Sequence, residues 1–111
     1  MIMSIMETTK EYFKTFTNKD LSGLGEMFAE NISLCDWEIQ AQGKEEVLLE
    51  NQKIFNSVES INVNPVELYE DKNTVLAELE ILVNKHEIIY VIDVIDFDEN
   101  GKIIAIKAYK R

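Results

Sequence analysis

Three ionisable side chains stand where their neighbours lead one to expect hydrocarbon. Tyr12 lies beside Phe13 in a stretch of helical period, Asp36 closes the run Ile32-Ser33-Leu34-Cys35, and Asp93 interrupts Val91-Ile92 and Val94-Ile95. An isolated buried charge is costly enough that it shifts its pKa or finds a partner. A phenol and two carboxyls set among Leu, Ile, Val and Phe can therefore move protons.

The elements that would position them follow from period. Ile5, Thr9, Tyr12, Phe13 and Phe16 recur at helical spacing, which puts Tyr12 on the inward stripe of a first helix. Asn18-Lys19-Asp20 breaks that pattern, and Asp20 is a suitable N-cap for a short second helix carrying Leu21, Leu24 and Phe28. A strand is predicted from about Ile32 to Asp36, then a loop through Gly43. A third helix follows, whose Val47, Leu48, Asn51, Ile54, Phe55 and Val58 share a face.

From Ile61 onward the pattern is all strand. Pro65 lacks an amide donor, so Ile61 to Tyr69 is expected at a sheet edge or with a bulge. Glu70-Asp71-Lys72-Asn73 turns the chain into Val75, Ala77, Leu79, Ile81 and Val83, which alternate with Glu78 and Glu80. Asn84-Lys85 closes a hairpin into His86 to Phe97, a strand apolar on both faces, and Asp98-Glu99-Asn100-Gly101 makes the last turn before Lys102 to Lys110. Side chains two residues apart on a strand share a face, which places Asp93 with Ile89, Val91, Ile95 and Phe97, and Asp36 with Ile32 and Leu34. The expected class is α+β: a curved antiparallel β-sheet wrapped around N-terminal helices to form a cone with a pocket, one domain over residues 1–111.

The stretches Glu11-Tyr12-Phe13 through Asp20-Leu21-Ser22-Gly23-Leu24 to Leu34-Cys35-Asp36-Trp37, and Val91 through Asp93, Asp96-Phe97-Asp98-Glu99-Asn100-Gly101 to Ile103, resemble ketosteroid isomerase. That enzyme belongs to the cone-shaped superfamily that also holds nuclear transport factor 2 and the SnoaL-like proteins. The resemblance implies that Asp36 is the general base and that Tyr12 and Asp93 donate hydrogen bonds to the oxygen of a dienolate, with no cofactor and no metal. The segment from Asp93 to Ile103 is common among SnoaL-like proteins that are not isomerases, so it speaks to fold more than to activity. This sequence departs from the isomerase pattern at Trp37, which replaces a proline, at Asn51, where a tyrosine is usual, and at Lys110, where a tryptophan is frequent. Such a pocket suits a smaller or more polar ketone than a steroid. The epoxide-hydrolase branch of the same fold uses Asp-Arg-Asp and the dehydratase branch paired histidines. Here the only arginine is Arg111 and the only histidine is His86.

Composition narrows the partners. A net charge of −10 argues against nucleic acid or an anionic membrane, because phosphate recognition needs a basic patch. No stretch approaches the roughly 20 apolar residues of a membrane span. One cysteine, Cys35, and a start without a basic, apolar leader point to a cytoplasmic protein. A 111-residue chain buries a small core, so a homodimer is expected through the outer sheet face, on which Ile104 and Ile106 are placed opposite Ile103 and Ala105.

Other motifs resolve into structure. Asp96-x-Asp98-x-Asn100-Gly101 imitates a calcium loop, but its twelfth position is Lys107, which cannot coordinate the ion. His86 is read as a solvated turn residue, Cys35 as a buried structural thiol, and Glu45-Glu46 as charges favouring a helix start. Two functions stay open: a proton-transfer isomerase acting on a small hydrophobic or carbonyl-containing molecule, or a non-catalytic binding or dimerisation module. The discriminating observation is whether the three groups converge in a pocket or Trp37, Phe55 and Tyr109 plug it.

Overall fold

The computed structural model describes residues 3–111. The chain begins with α1 (Ile5–Thr17), whose start is secured by a capping box: Ser4 Oγ accepts from the Glu7 amide, and Glu7 Oε1 accepts from the Ser4 amide. Asp20 caps α2 (Leu21–Met27) by accepting from the Gly23 amide at 3.0 Å. Gly23 is needed at that place, since a Cβ would lie 2.6 Å from Asp20 Oδ2. The elements continue as β1 (Phe28–Cys35), β2 (Gln40–Gln42), α3 (Lys44–Ser57), β3 (Ile61–Asp71), β4 (Thr74–Val83), β5 (Glu87–Phe97) and β6 (Ile103–Lys110).

The six strands form one curved, unclosed sheet in the order β2-β1-β6-β5-β4-β3. Neighbours are antiparallel except β1 and β6, which run parallel. Helix α1 packs over β3 and β4 and α3 over β1 and β2, so the concave face carries both helices. Phe28, Ile32, Val47, Val75, Ile95, Phe97 and Ile103 form the buried centre between these layers.

Pro65 satisfies both halves of its expectation: β3 is an edge strand, and its register with β4 shifts between Pro65 and Glu67. Asn84 and Lys85 take positive φ of 53° and 66°, the left-handed pair that a tight hairpin requires, and paired strand resumes at Glu87. Lys19, also left-handed, reaches across to donate to the carbonyls of Phe55, Val58 and Glu59 and so satisfies the open end of α3.

Several expectations need correction. Phe28 begins β1 instead of ending α2, because its backbone is already extended. The loop before Gly43 contains β2, which pairs with the end of β1. Cys35 is exposed at the end of β1, where Gln40 Nε2 donates to its Sγ at 3.8 Å. The parity reading of β6 fails beyond Ile103. Phe97 pairs with Ile103 but Asp96 with Ala105, so Ile104 is an extra residue, and both Ile103 and Ile106 end on the buried side. Ile106 is therefore no part of the outer face on which it was placed.

Candidate functional site

The concave side encloses a cavity of about 270 Å³. Its wall is largely apolar, with Phe16, Leu79, Val91 and Ile106 contributing, and Tyr12, Asp36 and Asp93 all line it. The plug does not form: Phe55 is packed in the core, Trp37 is 45% exposed at the cavity wall, and Tyr109 is 59% exposed on the outer face of β6. Lys110 Nζ sits 5.8 Å from the Trp37 ring centre, a cation–π distance.

Tyr12 comes from the inward stripe of α1 and is 6% exposed, wedged among Phe13, Phe16 and Phe28 with ring centres 5.4 to 6.2 Å away. Burial, and after it the charge of Asp93, pushes its phenol well above the ordinary tyrosine value. It is a hydrogen-bond donor at every ordinary pH.

Asp93 projects from the inner face of β5, as alternation required, and is 8% exposed. The residues directly opposite it are Ala77 on β4 and Ala108 on β6, so neither offers it a polar side chain. Removal from water, and secondly the charge of Asp36, pushes its carboxyl up to about 7. The group is neutral through the acidic range.

Asp36 lies one residue beyond β1 and is half-buried. Its Oδ1 accepts from the amides of Glu38 at 2.8 Å and Ile39 at 2.6 Å, and its own amide donates to the Ile39 carbonyl. This turn fixes the carboxyl at the cavity wall through one oxygen and leaves Oδ2 for other partners.

Asn51 adds a further, buried polar group. It lies on α3, is 4% exposed, lines the same cavity, and its buried Oδ1 has no hydrogen-bond partner among the described residues. Sequence placed Asn51 on the apolar face of the helix, which was the available signal; the missing partner required the structure. His86 is an exposed turn residue away from the cavity, and Arg111 stacks on Tyr90, 4.2 Å from its ring centre, on the outer face. Asp98 serves its turn by accepting from the Asn100 and Lys102 amides. Among the described residues no cluster of three or more His, Cys, Asp or Glu could hold a metal ion, and no helix is long and apolar enough to cross a membrane.

The fold is shared with solved structures at low identity. An NTF2-like protein of unknown function from Cytophaga hutchinsonii matches with a TM-score of 0.85 and 14% identity, covering 100% of this chain and 93% of that one. A Kribbella flavida protein provisionally named ketosteroid isomerase matches at 0.81 and 12%, covering 96% and 77%. An LEH-like epoxide hydrolase of M. tuberculosis matches at 0.83 and 14%, covering 96% and 82%. No curated protein matches the sequence. Residues 9–106 match the model of the SnoaL-like domain, and with helices, sheet and cavity arranged as described, the chain belongs to that family.

Proposed function

We propose that the cavity binds a small carbonyl compound and that the chain is a cofactor-independent isomerase, shifting a carbon–carbon double bond by proton transfer. The observation that carries this reading is the convergence of Tyr12, Asp36 and Asp93, from three separate segments, on one apolar cavity.

Asp36 Oδ2 takes a proton from the carbon between a ketone and a β,γ double bond. The C–H electron pair forms a new double bond to the carbonyl carbon, and the carbonyl electrons move to oxygen. Tyr12 and protonated Asp93 donate to that oxygen, stabilising charge as it develops in a water-poor site. Asp36 returns the proton to the γ carbon, the dienolate collapses to the conjugated enone, and no net oxidation occurs. A cavity of about 270 Å³ falls just under the roughly 300–1,000 Å³ of drug-sized sites, which favours a one- or two-ring ketone over a steroid.

The epoxide-hydrolase route lacks its residues, because Arg111 stacks on the outer face. The alternative is a non-catalytic ligand-binding or dimerisation module. The amide bonds to Asp36 Oδ1 favour it, since shaping the turn would by itself account for that residue. Turnover decides: β,γ-unsaturated cyclic ketones are followed by the ultraviolet absorbance of the conjugated product. Isomerisation by the wild type that Asp36→Asn abolishes is the expected result; no turnover across small and steroidal substrates leaves the binding module in its place.

A further inference from the structure

Besides Glu38, which is exposed at the wall, the cavity is lined by a buried polar group that the proton-transfer scheme does not use. Asn51 is almost fully buried and its Oδ1 meets no donor, although most buried polar atoms in folded proteins are satisfied. It is carried by α3, a wall element separate from those that supply Tyr12, Asp36 and Asp93. The cavity-lining residues that follow it along the same face of the helix segment, Ile54 and Val58, are hydrocarbon. Leucine would fit a helical core position without the desolvation that an unpaired amide costs. The unpaired amide thus carries a cost that a hydrogen-bonding ligand can relieve.

We propose that Asn51 is a second polar anchor of the cavity and that the ligand is a small ketone carrying a hydroxyl group, which Asn51 engages. This rests on the reading of the cavity as the ligand site. A hydroxyl suits the position because it donates to Oδ1 and can also accept from the amide nitrogen, so it satisfies the side chain in either orientation. A purely hydrocarbon ligand would bury the amide further and leave it unpaired, so Asn51 selects against such ligands.

The test uses naphthols as neutral mimics of the dienolate. Binding of 2-naphthol and of the isomeric dihydroxynaphthalenes is measured by calorimetry on the wild type and on Asn51→Leu, with melting temperatures of both proteins. One dihydroxy isomer is expected to bind the wild type about three- to tenfold tighter than 2-naphthol, the range of one neutral hydrogen bond. That gain should vanish in Asn51→Leu, while 2-naphthol itself binds the variant at least as well. The melting temperature of the ligand-free variant should equal or exceed that of the wild type. The inference is overturned if no isomer gains, if the gain persists in Asn51→Leu, or if the variant melts well below the wild type, which would reveal a structural partner for the amide. Loss of the naphthol effect with ketone turnover intact removes this inference alone. Absence of turnover with the hydroxyl gain intact removes the isomerase chemistry and leaves the anchor.

Discussion

Asp93 faces Ala77 across the β4–β5 pair, a carboxyl directly opposite a fully buried methyl. With Ala108 on the other side, neither residue directly opposite Asp93 carries a hydrogen-bond donor. Directly opposed residues have Cβ atoms about 4.5–5.5 Å apart, within reach of a short hydroxyl. Ala77→Ser is therefore expected to lower the Asp93 pKa from about 7, because a donor favours the charged form. Carboxyl-carbon NMR titration reads it, and an unchanged midpoint would show that the serine does not reach.

The raised pKa carries a stability signature. A carboxyl whose folded value exceeds its unfolded value of 3.8 binds its proton more tightly when folded. Its contribution is full below pH 3.8 and is lost as pH rises through about 7. The titratable groups lining the same cavity are Tyr12, Asp36 and Glu38; of these, the Asp36 charge adds to the shift after burial. Asp93→Asn, which does not titrate, should gain stability over the wild type at pH 8.5 by an amount on the order of a few kcal/mol, relative to the same comparison at pH 4. Urea melts at both pH values check this; an identical difference at each would contradict the assignment.

In the isomerase reading, Asp36→Asn should cost about 10² to 10⁴ in kcat, the usual worth of general acid–base catalysis. Tyr12→Phe should cost on the order of 10² to 10³, as when one oxyanion donor is removed. Both variants should still bind 2-naphthol, and Tyr12→Phe combined with Asp93→Ala should lose less than the product of the single effects, since both donors serve one oxygen. Steady-state rates at saturating substrate decide, with full additivity pointing to separate roles.

The outer sheet face leaves Leu76, Ile88, Ile92 and Tyr109 between 37% and 59% exposed. We expect a homodimer through this face, where these exposed apolar side chains stand among Glu78, Glu80 and Lys107. Sedimentation equilibrium at micromolar protein should give twice the chain mass, and Ile92→Lys should give the monomer. A monomeric wild type would remove the prediction.

Lys19 donates to the Phe55, Val58 and Glu59 carbonyls at 2.9, 2.7 and 3.2 Å. Lys19→Met keeps the stem and removes all three bonds, and should destabilise the fold by about 1–3 kcal/mol. The readout is the urea midpoint. A shift too small to measure would mean that water replaces the ammonium without loss.

Local information was enough for much of this molecule. Helical period put Tyr12 inward on α1, strand alternation put Asp93 inward on β5, and Asp20, Pro65 and Asn84-Lys85 announced a cap, an edge strand and a hairpin, because each rests on backbone geometry within a few residues. The resemblance around Asp36 and Asp93 reached the family. Long-range pairing decided the rest. An extra residue in β6 reversed the parity of Ile106, and alternation has no means of foreseeing a bulge, which is set by the partner strand. Cys35 is exposed, which the apolar residues around it in sequence did not indicate. Only the docking of α1 and α3 on the sheet determined that Tyr12, Asp36 and Asp93 share one cavity and that Asn51 Oδ1 finds no partner there. Burial and hydrogen-bond satisfaction are properties of what surrounds a side chain, and for these residues the surroundings come from segments distant along the chain.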